Sequence, residues 1–223
     1  FTQVYEPPKT EGSGKIRRNL RTATRILRKA GWRVKDGKLI DPKSGKPLEF
    51  EILLVSPLFE RIVSPFIRNL KRLGIQASIR IVDVANFKVR SDKFDYDVVI
   101  RRFVQPLTPG IEQRNYFGSA YADMVGTLNA AGIKDPAVDI MIEKVVTAGN
   151  RIALVAATRA LDRVLMWNNY TVPQWYKGEH NIAFWNKFGR PEIKPKFDLG
   201  VIDTWWFDSQ KAAMIAAGKA PTP

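Results

Sequence analysis

Apolar side chains recur along this chain with two periods, and the alternation between them marks out the elements. Leu20, Ala23, Ile26, Leu27 and Ala30 fall at helical spacing, and Gly31 stands where a helix stops. The basic residues of the segment fall mostly on its other face, which predicts a core-docked helix with a solvated basic side. Asp36-Gly37 and Ser44-Gly45 mark tight turns around a short strand at Lys38–Ile40. Residues 48–55 read as a strand, and Ser56-Pro57 as a helix start with a capping hydroxyl and a proline in the first turn. Ile62, Val63, Phe66, Ile67, Leu70 and Leu73 then form an apolar stripe closed by Gly74. Each large side chain of such a stripe contributes roughly 1.5–3 kcal/mol when fully buried. Phe66→Ala is therefore expected to be among the most damaging changes. Ile75, Ala77, Ile79 and Ile81 alternate with Gln76, Ser78 and Arg80, the pattern of a half-buried strand. Residues 83–93 fit a short helix, and residues 96–103 a third strand centred on Val98-Val99-Ile100. This order predicts an α/β layer, helices on a sheet, with a right-handed first crossover.

Between 104 and 132 the periodicity breaks, punctuated by Pro106, Pro109, Gly110, Gly118 and Gly126. A connection this long inside a compact domain is usually functional or poorly ordered. Helices resume at Asp135-Pro136, with Val138, Met141, Ile142 and Val145 as the apolar face. Asn150 caps a longer helix through Trp167 that buries Ile152, Val155, Leu161, Val164 and Leu165. Residues 171–176 and 182–185 read as extended. The tail carries a Pro-rich loop, Trp205-Trp206-Phe207 and a short Ala-rich helix over 210–217, while 1–16 read as a linker or surface arm.

Composition narrows the chemistry. The chain has no Cys and a single His, His180, which removes disulfides, thiolate nucleophiles, Cys-ligated zinc and any His pair on a metal. No Gly-x-Ser-x-Gly elbow is present, so an enzyme is disfavoured and no cofactor is expected. Asp95 and Asp97 flank a strand entry, and Asp139 and Glu143 read as a solvated helix face. No apolar run reaches the ~18 residues of a membrane helix. The first residues, Phe1-Thr2-Gln3-Val4-Tyr5, lack an initiator Met, so a missing signal sequence says nothing about location. Thirty-six Lys and Arg stand against 22 acids, a net +14. Residues 1–50 hold 13 basic and 5 acidic side chains, a net +8. That imbalance keeps a nucleic-acid or polyanion-binding basic domain as the alternative reading. It lacks a zinc site or a recognisable recognition helix.

The order of segments resembles the C-terminal part of a family 5 extracellular solute-binding protein, the peptide-type receptor of bacterial ABC importers. The resemblance is carried by Arg18-Asn19-Leu20 through Leu27, Ala30-Gly31-Trp32, and Asp41-Pro42-Lys43-Ser44-Gly45-Lys46-Pro47-Leu48. More specific blocks are Pro109-Gly110-Ile111-Glu112-Gln113-Arg114, Arg159 through Leu165, and Val172-Pro173-Gln174-Trp175-Tyr176. These look like the subgroup that imports oligopeptides and microcin C-like conjugates; Trp185 through Gly189 and Trp205-Trp206 extend the match over most of 15–210. The resemblance implies a periplasmic-binding-protein-like (type II) α/β lobe. Residues 17–180 would form the second lobe, and 181–223 a return segment of the first, whose amino-terminal part is missing. It also implies a periplasmic location in a Gram-negative bacterium, a precursor with a signal peptide, a peptide or peptide-conjugate ligand in the cleft, and an inner-membrane ABC permease as partner. Nucleic acid is not an expected partner. Loss of one lobe would expose apolar surface near the tail aromatics and favour self-association.

Ligands of open α/β sheets bind beyond the carboxyl ends of strands. The third strand delivers Arg101, Arg102, Phe103 and Gln105 to such an end. An arginine there can pair bidentately with a carboxylate or phosphate, and Phe103 can cover an apolar side chain. The resemblance implies an Asp just past this strand for a peptide's amino group. Here the place reads Val104-Gln105-Pro106, which argues against free-amino-terminus recognition unless Glu112 takes the role. Asn129 can donate to a peptide backbone or serve turn chemistry. Eleven of the 24 aromatics lie between Trp167 and Phe207, and Trp175, Tyr176 and Trp185 are candidates to line the cleft.

Overall fold

A computed structural model describes residues 3, 5–10, 12–174 and 179–219. They divide into two compact units, one up to Val172 and one from Pro173.

The first unit is organised by three parallel strands. Strand β3 (Glu49–Leu54) lies between β4 (Gln76–Ile81) and β5 (Val98–Val99), so both of its edges are paired. Ile52, Leu53 and Leu54 are each at most 2% exposed, the continuous apolar run of a strand covered on both faces. Before the sheet come α1 (Arg17–Lys29) and a hairpin of β1 (Arg33–Lys35) and β2 (Lys38–Ile40). Its two-residue turn uses Asp36 and Gly37, both at positive φ, as the tightest hairpins require.

Helix α2 (Glu60–Lys71) joins β3 to β4. Ser56 accepts from the Leu58 amide in the 3-10 turn that leads into it, with Pro57 at the first position as expected. Ile52, Leu54 and Val63 form the core here, flanked by Phe50, Phe59, Ile67, Ile79 and Ile100. Phe66 corrects the expectation set by its stripe: it is 41% exposed, because Val63 and Ile67 turn inward and carry the packing. Gly74 closes the helix at φ +84, and its carbonyl accepts from Leu39 N at 2.8 Å. A Cβ on Gly74 would lie 2.8 Å from that same backbone nitrogen, so the position excludes every side chain.

Helix α3 (Val84–Asp92) starts at Asp83, which accepts from Asn86 N. The third strand is shorter than expected. Only Val98 and Val99 pair, since β5 has a neighbour on one side alone, although Ile100 still packs on the core. A six-residue helix α4 (Glu112–Phe117), too short to show a period, stands inside the irregular connection. Helices α5 (Pro136–Val146) and α6 (Arg151–Asn168) build a second core from Ile133, Val138, Ile142, Val145, Leu161 and Val164. Their caps are those expected: Asp135 accepts from Ala137 N, and Asn150 from Ala153 N. Ile152, expected inside, is 84% exposed, because it sits in the first turn ahead of the buried stripe. Helix α1 departs furthest from expectation. None of its residues is buried, and Ile26 is 62% exposed.

The second unit pairs β6 (Phe188–Gly189) with β7 (Trp206–Phe207) and adds α7 (Val201–Thr204) and α8 (Ser209–Ala216). Gly189 lies under the Trp206 indole; a Cβ there would come within 2.2 Å of the ring. Phe184 and Trp205 meet edge to face at 4.6 Å, and the Arg190 guanidinium lies over both rings. The expected extended segments are not strands: 171–174 and 182–185 carry no ladder, since no neighbouring strand offers a partner.

Two chemical-denaturation measurements check this packing. Ile52→Ala is expected to cost about 2–5 kcal/mol, and Phe66→Ala clearly less, reversing the order that the stripe alone suggests. Gly74→Ala is expected to cost more than an ordinary exposed Gly→Ala change, since it meets backbone as well as a positive φ.

Candidate functional site

The carboxyl ends of the parallel strands open onto the connection that leaves β5. Tyr96 enters this strand, and its hydroxyl donates to the Ala130 carbonyl at 2.8 Å. Burial pushes the Tyr96 phenol up, an effect partly offset by the charge of Arg101 and a hydrogen bond to it. The Arg101 guanidinium thus reaches the Tyr96 hydroxyl, and both Arg101 and Arg102 are exposed. Both sit beyond the paired residues, in the position the strand order predicts.

Phe103 turns inward. Its ring meets Tyr116 edge to face at 5.4 Å and Phe117 at 5.3 Å, both on α4. The Tyr116 hydroxyl donates to the Val104 carbonyl at 3.2 Å, so the chain leaving β5 is held against α4 by an aromatic triad and a hydrogen bond. Gln105 is exposed, and its Oε1 accepts from Gln113 Nε2 at 2.6 Å. Gln113 was not expected as a site residue, yet it is only 4% exposed and donates also to Glu112 Oε1 at 3.0 Å. Its one signal in the sequence is the four-residue spacing to Phe117, which puts both on the inner face of α4. Glu112 Oε1 further accepts from Gly110 N at 2.8 Å. Burial raises the Glu112 carboxyl, but hydrogen bonds from the Gly110 amide, its own amide and Gln113 outweigh that and hold it below its usual range. Glu112 is ionised and already occupied inside the loop.

Of the two roles open to Asn129, ligand donor and turn residue, its contacts match the second. It is fully buried; its amide donates to the carbonyls of Gly118 and Ile133, both at 3.0 Å, and its oxygen accepts from Ile133 N at 2.9 Å. Both amide hydrogens are committed to the loop, so turn chemistry is what the residue performs. Asp139 and Glu143, expected on a solvated face, anchor the same loop. Asp139 accepts from Ser119 N at 2.9 Å, and Glu143 takes a two-pronged pair from Arg114 at 2.6 and 2.7 Å. That pairing lowers the Glu143 carboxyl and raises the Arg114 guanidinium. Asp97 accepts from Glu51 N at 2.8 Å and Asp95 pairs with Arg90 at 3.0 Å, both in structural contacts. Trp175 and Tyr176 lie outside the described residues. Trp185 is 73% exposed in the second unit, and His180 is exposed. No group of three or more His, Cys, Asp and Glu able to hold a metal occurs among the described residues.

What remains presented to solvent is two guanidiniums, the Gln105 amide and a half-buried Phe103. That set can clasp an anionic group and cover a neighbouring apolar one.

No protein-family model matches the chain. Curated relatives match almost all of it. The protein y4wM of Sinorhizobium fredii is 46% identical over 98% of the chain, the probable peptide-binding protein YejA of Agrobacterium fabrum 43% over 92%, and YejA of Escherichia coli 40% over 96%. The chain spans about a third of the length of each: 33%, 34% and 35%. Among solved structures, the oligopeptide-binding protein AppA of Bacillus subtilis, in complex with a nonapeptide, aligns over 85% of this chain and 37% of its own with a TM-score of 0.62 at 20% identity. A periplasmic oligopeptide-binding protein of Thermotoga maritima, with mannohexaose bound, aligns over 71% and 31% with a TM-score of 0.60 at 19% identity. The fold is that of a periplasmic solute-binding protein lobe. Along nearly its whole length the chain is similar to relatives that include a probable peptide-binding protein, and its fold is shared with one lobe of solved solute-binding proteins, in keeping with the resemblance carried by the motif blocks.

Asn129→Ala would remove the side-chain partner of the Ile133 carbonyl and amide and leave the Gly118 carbonyl with the Tyr121 amide alone. It is expected to destabilise the first unit by about 2–4 kcal/mol in denaturant titration. Because folding lowers the Glu112 carboxyl from its ordinary value of 4.5, its ionised form stabilises the fold above that pH, and the contribution is lost as pH falls through the folded value. Glu112→Gln is therefore expected to lower the melting temperature at neutral pH and to narrow the gap from the unaltered chain under acid conditions.

Proposed function

We propose that this chain supplies the ligand-binding second lobe, residues 17–180, with the return segment 181–223, of a periplasmic receptor that delivers oligopeptides or peptide conjugates to an inner-membrane ABC permease. The likeness to peptide-binding relatives along nearly the whole chain supports the class. The observation that carries the ligand chemistry is the pair Arg101 and Arg102 at the carboxyl end of a parallel sheet, next to Phe103 and with Glu112 already satisfied.

With no unpaired acid beside these arginines among the described residues to meet an ammonium, this lobe reads the anionic part of a ligand, a carboxylate or phosphate, and leaves an amino terminus to other contacts. Closure on the ligand makes contacts from both lobes complete only in the shut state, which couples affinity to hinge motion. The solved relatives of this fold hold a nonapeptide in one case and mannohexaose in another, so the fold by itself selects no ligand class. The side chains at the strand ends must do so.

Calorimetric titration of the complete polypeptide carrying this chain, with a library of oligopeptides and peptide conjugates, is expected to find ligands with a free carboxylate or phosphate. Arg101→Ala with Arg102→Ala is expected to weaken those ligands by about tenfold or more and to leave their amidated counterparts unchanged. Absence of binding by every peptide and conjugate would overturn the reading.

A further inference from the structure

The basic excess of the first fifty residues has a definite geometry. Arg18, Arg21, Arg25 and Arg28 are spaced by three, four and three residues, so on a helix they stand in one row, roughly 15 Å long at 1.5 Å per residue. All four are exposed, α1 contains no acidic residue, and none of the four forms an ion pair among the described residues. Three other arginines of the unit, Arg80, Arg90 and Arg114, do find a carboxylate.

Beside the row runs a groove of about 580 Å³ between α1, the β1–β2 hairpin and the end of α2. Its lining joins apolar side chains, among them Trp32, Leu39 and Leu73, with the arginines Arg28, Arg33 and Arg72. A shallower hollow of about 290 Å³ continues it between Arg21, Thr24, Arg25 and Arg28. The lining is not loose. Arg33 donates to the carbonyls of Arg28 and Trp32 at 3.0 and 2.9 Å, which fixes one wall at the carboxyl end of α1.

We propose that this face is a docking surface for an acidic amphipathic segment of a partner protein, laid lengthwise along α1. Charge complementarity selects the sign. The cationic groups are guanidiniums, which grip carboxylates through two parallel hydrogen bonds where an ammonium would offer a point charge. Their spacing matches carboxylates on one stripe of a facing helix. The apolar part of the groove takes that helix's adjoining apolar side chains, a feature that a flat anionic bilayer or a nucleic-acid backbone would leave unused. The surface lies on α1 and the hairpin, not on the chain beyond β5, so it stands whether or not Arg101 and Arg102 hold a ligand.

The test uses the complete polypeptide carrying this chain and a fluorescent synthetic helix with Glu at the matching spacing and Leu on the adjoining face, read by anisotropy at low and high salt. The expected result is binding at low salt about tenfold tighter than to a scrambled peptide of equal charge. Arg21→Glu with Arg25→Glu and Arg28→Glu should abolish it and create affinity for the Lys-for-Glu peptide. The single change Trp32→Ala should weaken it with the charges intact, and unchanged circular dichroism would show that the variants still fold. Equal binding of the scrambled peptide, preferential retention by phosphatidylglycerol vesicles or by duplex DNA, or indifference to the charge reversal would each overturn the proposal.

Discussion

The first unit depends on β3 being paired along both edges. A strand whose amides and carbonyls are satisfied on either side can carry an unbroken apolar run, and Ile52-Leu53-Leu54 is that run. The parallel pairing in turn requires a crossover, which is why α2 lies on the sheet and buries Val63 against Ile52 and Leu54. It also sends every strand's carboxyl end to one edge, where Arg101 and Arg102 emerge. The location of the candidate site is a consequence of strand direction rather than of any motif.

At that edge, several polar side chains serve the stability of the loop. Glu112, Gln113 and Asn129 turn their polar atoms inward and hold an irregular connection that has little regular backbone pairing of its own. Arg114 and Asp139 fasten that connection to α5, and Phe103 glues its beginning to α4. The chain after β5 is therefore a braced platform. Its outer face carries the exposed guanidiniums of Arg101 and Arg102 and the exposed Gln105.

Much of this was legible in the residue pattern. Period-two alternation at 75–81, the cap at Ser56-Pro57, the turn at Asp36-Gly37 and the helix from Asn150 all appear where local chemistry put them. Misreadings arose where a long-range partner decides. Phe66 and Ile152 have the right spacing, but spacing cannot say which edge of an apolar stripe the core reaches. Helix α4 is shorter than two turns, so no period could reveal it, and the inward turn of Gln113 depends on Gln105, eight residues away. Glu143 is exposed as its helix face suggests, but the partners of Asp139 and Glu143, Ser119 and Arg114, come from a stretch with no pattern at all.

The contact between Gly74 and Leu39 has an evolutionary corollary. A hairpin backbone abutting a bare helix terminus leaves no slack, so lengthening α2 by one residue would swing Gly74 about 100° around the helix axis and detach it from the hairpin. Insertions and deletions among descendants of this chain should accordingly spare the interval from Pro57 to Ile75 and gather in the turn at Ser44-Gly45, where the backbone has open space around it.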